Sequence, residues 1–413
     1  MAASPREPVS LRVQGTIYGA GLVYFGVAWM AGLIIPLYLV QIGAPSYVIG
    51  IVIGSRAALT LLLSIHGGAL MDRLGTRRVM IAFAVISMVA PLLFPLTSWI
   101  PALIALQMIA GLADAMGWIG AQALSGTLMQ GNPTYVGRMT LAARFASFVS
   151  PLLVGAIWDN VGIWGAFITM SLWSMVGLFA VLALPVTDHE GTTLPGTRVR
   201  PGDLMPRVAD YVAAFRLCSV PAIALVLFVT MLRVGGTGIQ NSFYVVYLNT
   251  IDIDGAKIGL LLGVVNLCAS AGVLAVGPAA RMIHPHWLVV LTVTLTILTV
   301  ASTPLLFGIY GVLLVVIGFR GLCLGISQPL EISILGRSLG ADSQGKGVGL
   351  RTTANRSASM IVPMIMGVVA DLAGIENSFL IMGGVLLAFM GLTAFHVYRH
   401  PGLAQENQAK DGA

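Results

Sequence analysis

Eight ionisable residues lie inside long apolar stretches of this 413-residue sequence, and their side chains are the ones best suited to chemistry there. At the centre of a bilayer each costs roughly 2.5–3.5 kcal/mol on insertion scales, so each should face protein or a water-filled cavity. Arginine binds carboxylates and phosphates through two parallel hydrogen bonds, and a buried carboxylate can exchange a proton. Ion pairing, anion binding and proton transfer are therefore the chemistries to consider. The eight are Arg56, Asp114, Arg144, Arg233, Arg320, Glu331, Arg351 and Arg356.

The apolar stretches must position these side chains. Hydrophobic residues make up 57% of the chain and charged residues 9%, with a mean hydropathy of +0.92, which excludes a water-soluble globular protein. A helix needs roughly 20 apolar residues to cross a ~30 Å hydrocarbon core. We therefore predict an all-α membrane protein with twelve transmembrane helices. The predicted spans are 16–40, 47–66, 79–97, 102–126, 139–158, 163–185, 220–249, 257–278, 287–306, 309–335, 350–370 and 377–397.

The chain is also an internal duplication. Shifting residues 137–170 by 212 positions aligns Arg144 with Arg356 and Asp159 with Asp371, and a shift of 209 relates earlier parts of the halves. Parallel repeats of this length are typical of transporters whose halves rock around a central site. We predict two pseudo-symmetric six-helix bundles, 1–185 and 217–400, joined by a cytoplasmic linker at 186–216 and followed by a disordered tail at 401–413.

Basic residues predict the orientation. They concentrate in loops on one side, which also receives both termini, and cytoplasmic loops carry such an excess. We predict a multi-pass protein of the inner (plasma) membrane with both termini cytoplasmic. The pI near 9.4 then reflects topology, and no nucleic-acid partner is expected.

Cysteine and histidine give no sign of a cofactor. Cys218, Cys268 and Cys323 have spacings that form neither a disulfide framework nor a zinc site, and His284 and His286 flank a proline without a nearby third ligand. A phosphate-binding GxxxxGK[ST] loop and a nucleophile elbow are both absent from the sequence. We expect no enzyme activity, no cofactor and no metal.

One loop carries a family motif. The sequence GALMDRLGTRR at residues 68–78 resembles the G-x-L-x-D-R-x-G-R-R signature of the major facilitator superfamily, with Thr76 replacing a basic residue. The resemblance covers the whole chain and implies that superfamily's transporter fold. It also implies that Asp72, with Arg73 and Arg77, acts as a gate near the N-terminus of the eleventh span, where the positive helix end stabilises a carboxylate. The alternative is that Asp72 and Arg73 only close a tight turn.

Depth along the helices predicts ion pairs. At a rise of about 1.5 Å per residue, Arg56 and Asp114 both lie near the midplane, so they can pair. Glu331 and Arg356 both fall within roughly 10 Å of the cytoplasmic edge and can pair as well. Arg144 occupies the matching depth in the first half. We assign Arg56, Arg144 and Arg356 to ion pairs or gates.

Two arginines remain without a counter-ion in this scheme, Arg233 and Arg320. The resemblance implies that spans one, four, seven and ten line a central cavity, and uncompensated guanidinium groups there favour an anionic ligand. The alternative is that both make structural bonds to backbone carbonyls or to Asp114. The further predicted substrate-binding residues are Tyr24, Trp118, Gln240, Asn241 and Tyr244.

The candidates for coupling transport to protons are the membrane-embedded carboxylates, Asp114 first and Glu331 second, because burial favours their protonated form. If arginine pairs hold both ionised, a uniporter or an anion exchanger results. The predicted function is a secondary transporter of a small organic anion, monomeric and surrounded by membrane lipid. One alternative is a proton-coupled drug or metabolite exporter, although Ser150, Val154 and Gln107 depart from the motifs of those antiporters. A non-transporting receptor or assembly subunit is the other, and the intact 68–78 motif argues against it.

Overall fold

The structure, a computed structural model, describes residues 9–129, 132–184, 221–306, 308–338 and 344–399, with some side chains inside helices left undescribed. Within these ranges eleven helical segments are long and apolar enough to cross a membrane, and the helix Pro285–Ala301, at 17 residues, is shorter. The predicted all-α membrane protein is confirmed. The helices are α1 (Leu11–Gln41), α2 (Ser46–Ser55), α3 (Ala58–Leu74), α4 (Thr76–Leu93), α5 (Ile100–Thr127), α6 (Pro133–Val161), α7 (Ile163–Leu182), α8 (Pro221–Ile239), α9 (Val245–Thr250), α10 (Gly255–Met282), α11 (Pro285–Ala301), α12 (Tyr310–Ser338), α13 (Gln344–Ala373) and α14 (Ile375–Arg399).

Two of the predicted spans are interrupted helices. The second span breaks at Arg56 and Ala57, between α2 and α3, and the seventh contains a π-helical turn, Gln240–Tyr244, between α8 and α9. Helical backbone satisfies its own hydrogen bonds, so such breaks occur inside a membrane only where protein or a cavity covers them. Both breaks therefore indicate backbone that is covered by neighbouring helices or lines a cavity. The predicted linker and tail, 186–216 and 401–413, lie outside the described residues.

Backbone turns repeat between the halves as the duplication predicts. Gly162 and Gly374, which the shift of 212 aligns, have φ angles of 84° and 85° and join α6 to α7 and α13 to α14. Gly43 and Asp252, aligned by the shift of 209, have φ angles of 73° and 59°. Glycine and, less readily, aspartate tolerate this left-handed conformation. The two halves thus share turn geometry as well as sequence.

Glycines allow the two halves to touch backbone to backbone. A Cβ on Gly50 of α2 would overlap the carbonyl of Pro363 on α13, and a Cβ on Gly259 of α10 would overlap the carbonyl of Pro151 on α6. Small residues at helix crossings give close van der Waals packing in membranes, where the hydrophobic effect contributes little. The α2–α13 and α6–α10 crossings are therefore two equivalent joints between the halves.

Each joint ends in a carboxylate from one half that caps a helix of the other. Asp159 of α6 accepts hydrogen bonds from the backbone N–H groups of Gly255 and Ala256, at 2.8 and 2.7 Å, at the start of α10. Its repeat partner Asp371 accepts one from the N–H of Ser46, at 3.0 Å, at the start of α2. A negative charge at a helix N-terminus satisfies free N–H groups and the helix dipole. We call this end of the bundle the capped end.

The 68–78 motif forms the connection between α3 and α4. Gly75, with a φ angle of 90°, is its turning residue, and α3 packs against α13. The side chains of Asp72 and Arg73 lie outside the described residues, so their gate role stays a prediction. Arg77 donates from Nη2 to the backbone carbonyl of Leu182 at 2.9 Å.

Candidate functional site

A cavity of about 360 Å³ lies between the two halves. Its wall comes from α1, α2 and α5 of the first half and from α8, the π-helical turn and α13 of the second half. Three of the lining residues are charged: Arg56, Asp114 and Arg356. A concave site shared by both halves and carrying a few convergent polar groups is the expected form of a small-molecule site.

Arg56 and Asp114 form the polar centre of the first half. Nη2 of Arg56 donates to Oδ2 of Asp114, and Nη1 donates to Oε1 of Gln107 at 3.1 Å. The Ser87 hydroxyl donates to Oδ1 of Asp114 at 2.7 Å and lies 3.3 Å from the Ser174 hydroxyl. The predicted Arg56–Asp114 ion pair is confirmed. Its carboxylate is 7% exposed and its guanidinium 22% exposed, so the pair faces the cavity through the arginine.

Local backbone geometry places this pair. Arg56 stands at the break between α2 and α3. Gly111 of α5 lies against the backbone carbonyl of Arg56, where a Cβ would overlap it. Asp114 follows three residues later, on the same face of α5. A glycine therefore brings the two helices close enough for the arginine to reach the carboxylate.

Arg356 does not pair with Glu331, so that prediction is wrong. Glu331 accepts from Nε of Arg233 at 2.8 Å and from the Thr230 hydroxyl at 3.0 Å. Both partners lie on α8 within the second half, and the carboxylate is fully buried. Arg356 instead lines the cavity and makes no hydrogen bond or ion pair to any described residue. Its guanidinium is a positive group available to a ligand.

Arg233 and Arg320 do not line the cavity, and the expectation that both are uncompensated there is wrong. Arg233 has Glu331 as its counter-ion. Arg320, fully buried, donates from Nε to the carbonyl of Thr296 at 3.3 Å and from Nη2 to the carbonyl of Gly236 at 3.1 Å. These are the backbone bonds that the alternative interpretation predicted. A role of either arginine in substrate binding stays untested.

The predicted aromatic and amide residues divide into two groups. Tyr24, Trp118 and Asn241 line the cavity, whereas Gln240 and Tyr244 are buried away from it. The Tyr24 hydroxyl and Oδ1 of Asn241 are buried and have no hydrogen-bond partner within the described part of the chain. One of these two residues comes from each half.

Sequence reasoning missed several lining residues. Phe25 packs against Trp118 with ring centroids 5.1 Å apart, and Thr237 and Ser359 add hydroxyl groups to the wall. Helical spacing could have indicated both hydroxyl residues. Thr237 lies four residues before Asn241, and Ser359 lies three residues after Arg356. Residues at that spacing share one helix face.

Arg144, the repeat equivalent of Arg356, lies elsewhere. Its Nη2 donates to Oε1 of Gln328 on α12 at 3.5 Å, a long hydrogen bond between the two halves. The gate role predicted for Arg144 stays a prediction.

Comparisons with known proteins agree on one architecture. A family model described as Major Facilitator Superfamily matches residues 17–232 and 226–412. Among solved structures, the nucleoside transporter NupG has a TM-score of 0.70 at 14% identity and covers 92% of this chain and 98% of its own. A peptide transporter POT in complex with sulfate has a TM-score of 0.71 at 13% identity, covering 95% of each chain. A POT family transporter in complex with 5-aminolevulinic acid has a TM-score of 0.73 at 12% identity, covering 94% and 96%.

A comparison with curated protein sequences finds no match. At 12–14% identity the solved structures establish the fold alone.

Proposed function

Since the chain belongs to the Major Facilitator Superfamily and is a multi-pass secondary transporter of small solutes, we propose that its solute is a small organic anion. The observation that carries this proposal is the Arg356 guanidinium, which lines the central cavity without a partner among the described residues. Arginine stays charged in proteins and binds carboxylates through two parallel hydrogen bonds. A carboxylate is therefore the group that Arg356 suits best.

The charge of the cavity supports an anion. Arg56, Asp114 and Arg356 are its charged lining residues, and their formal charges of +1, −1 and +1 leave one positive charge. Two guanidinium groups facing one cavity repel each other, more strongly than in water because the surroundings are less polar. A monovalent anion between them removes that repulsion.

The size and lining of the cavity narrow the class further. A volume of about 360 Å³ is near the lower end of the roughly 300–1,000 Å³ typical of ligand sites. Phe25 and Trp118 offer apolar ring surface, and Thr237 and Ser359 offer hydroxyl groups. These groups suit a small carboxylate that carries an apolar portion and a hydroxyl or amino group.

The Arg56–Asp114 pair suggests how the anion is coupled to protons. An anion that approaches Arg56 competes with Asp114 for the same guanidinium. A buried carboxylate that loses its positive partner favours the protonated form. We propose that anion binding is accompanied by proton uptake at Asp114, which makes the protein a proton-coupled anion transporter.

Ligand-induced thermal stabilisation tests the substrate class, because a ligand that binds only the folded state raises the unfolding temperature. We expect small carboxylates to stabilise the wild type and Arg351→Gln, and to bind Arg356→Gln at least ten times more weakly. Arg351 is the matched control, since it lies on the same helix but not on the cavity wall. Stabilisation by lipophilic cations alone, equal in all three proteins, would contradict the proposal and favour an exporter.

Transport in proteoliposomes tests the coupling. An imposed proton gradient should accelerate anion uptake by the wild type, and Asp114→Asn should lose that acceleration while still exchanging labelled for unlabelled anion. Wild-type uptake that is indifferent to the gradient would refute proton coupling and support an anion exchanger or uniporter.

A further inference from the structure

Several buried polar atoms in the second half have no hydrogen-bond partner within the described part of the chain. Among them are Nη1 of Arg320, the hydroxyl of Tyr244 and both amide atoms of Gln240. All three side chains are at most 1% exposed, and none of them lines the central cavity. Native proteins leave few such atoms, because each gives up water without a replacement, so a group of them indicates a bound ion or water.

Helix periodicity places Gln240 and Tyr244 along one face of the segment that Arg320 contacts. Nη2 of Arg320 donates to the carbonyl of Gly236 at 3.1 Å. Gln240 follows Gly236 by one helical turn and Tyr244 follows Gln240 by another, so they share a helix face. Gln240 and Tyr244 are also the first and last residues of the π-helical turn, a rare conformation that is frequent at functional sites.

The guanidinium of Arg320 brings a buried charge to this face without a counter-ion. Its other bond goes to the carbonyl of Thr296, and it makes no ion pair to any residue that the structure describes. Glu331, the fully buried carboxylate of the same helix, is bound to Arg233 and Thr230. Burying an unpaired charge is costly even when its hydrogen bonds are satisfied. Water would hydrogen-bond to the free polar atoms here but would leave the charge. An anion balances the charge and accepts from the three free donors, and Oε1 of Gln240, an acceptor, takes no part in binding it.

We propose that Arg320, Gln240 and Tyr244 bind a small inorganic anion of about the size of chloride. Each supplies a hydrogen-bond donor, through Nη1, Nε2 and the phenolic hydroxyl respectively. The full burial of all three side chains favours a monatomic ion over an organic solute. This site is separate from the cavity and does not depend on the identity of the transported solute.

The site is linked to the cavity through the chain. Gly236 and Gln240 are immediate neighbours of Thr237 and Asn241, which line the cavity. An anion that bridges α12 to the π-helical turn therefore holds two cavity-lining residues in place. Bound chloride is expected to support transport as a structural ion that is not itself carried.

Thermal unfolding in sodium chloride against sodium gluconate, titrated at constant ionic strength, tests the site. We expect the unfolding temperature of the wild type to rise saturably with chloride, since a ligand that binds only the folded state stabilises it. Arg320→Met should abolish the rise. Tyr244→Phe, which removes one hydroxyl and leaves the ring packed, should weaken the apparent chloride affinity at least tenfold even if Arg320→Met fails to fold.

Two variants are expected to behave as the wild type. Tyr38→Phe makes the same change on a buried tyrosine of the first half, whose hydroxyl donates to the backbone carbonyls of Phe94 and Thr97. Arg356→Gln alters the cavity and leaves this site intact, so it separates failure of this proposal from failure of the substrate proposal. Equal unfolding temperatures of the wild type in chloride and gluconate would refute the proposed site. So would a chloride response that survives Tyr244→Phe and Arg320→Met, or one that only Arg356→Gln removes.

Discussion

Replacing Asp159 by alanine is expected to open the capped end of the bundle. This carboxylate belongs to the first half, and both N–H groups that it binds, those of Gly255 and Ala256, belong to the second half. Alternating access requires the halves to separate at this end, so these bonds must break each time it opens. Removing them destabilises the closed arrangement and leaves the open one unaffected.

The magnitude follows from the number of bonds lost. Replacing an N-cap carboxylate by alanine typically costs about 1 kcal/mol. Asp159 caps two N–H groups and Asp371 caps one, which gives roughly 2 and 1 kcal/mol on this scale. Since about 1.4 kcal/mol corresponds to a factor of ten, the ratio of open to closed protein should rise about 30-fold for Asp159→Ala and about fivefold for Asp371→Ala.

Labelling of a cavity residue measures this ratio. Ala28 is an exposed residue of the cavity wall, so Ala28→Cys, in a background lacking the three native cysteines, can react with a membrane-impermeant maleimide. The reagent is added to intact cells, because the loop charges predict that the capped end faces outward. The labelling rates should rise by the two factors above.

Asp254→Ala is the matched control for this experiment. Asp254 lies beside the same joint, but it pairs with Lys257 of its own half at 2.8 Å. Its loss should leave the labelling rate unchanged. The reasoning is refuted if Asp159→Ala labels no faster than its parent, or if Asp254→Ala accelerates labelling equally.

Three further predictions concern stability and are read from thermal unfolding of the protein in nanodiscs. Gly50→Ala forces a Cβ into a backbone carbonyl of α13 and should cost about 1–3 kcal/mol. Gly32→Ala meets open space and should not lower the unfolding temperature, because alanine is a better helix former than glycine. An equal loss of stability in both variants would contradict the joint. Glu331→Gln leaves Arg233 buried without its counter-ion and should cost about 3–5 kcal/mol, and the double variant Glu331→Leu with Arg233→Met should recover most of it. Gly75→Ala puts a side chain at a φ angle of 90° and should cost about 1–2 kcal/mol; an unchanged unfolding temperature would show that the turn relaxes.

The duplication in the sequence marks the residues that form both joints between the halves. Gly50 and Gly259 align in the duplication, and the structure places both against a carbonyl of the opposite half. Asp159 and Asp371 align as well, and both cap a helix of the opposite half. A backbone contact restricts the residue type at a position, so it leaves matched residues in both copies. Twelve spans are equally predictable, because the cost of exposing polar groups to lipid requires a long apolar run for each.

Partners of buried charges are harder to predict. The rise per residue gives the depth of Glu331 but not the direction in which its side chain points. Two arginines, Arg233 and Arg356, lie at depths from which they could reach it. Packing of α8 beside α12 brings Arg233 to the carboxylate and leaves Arg356 to the cavity. Arg56 and Asp114 were predictable as a pair because the first half offers a single acidic residue at that depth.

Residues that the two repeats share and residues that differ between them have different roles. The shared residues serve the movement of the halves, and the differing residues determine which solute binds. Both joints at the capped end use residues that the two copies share. The charged cavity residues break the symmetry, because Arg56 aligns with Val265, and Arg356 faces the cavity while its equivalent Arg144 donates to Gln328. A rocking motion of the two halves needs equivalent joints on both sides of the site. An asymmetric solute needs different binding groups from each half. Changes at Arg356 should therefore alter which solute is bound and leave the opening of the capped end intact.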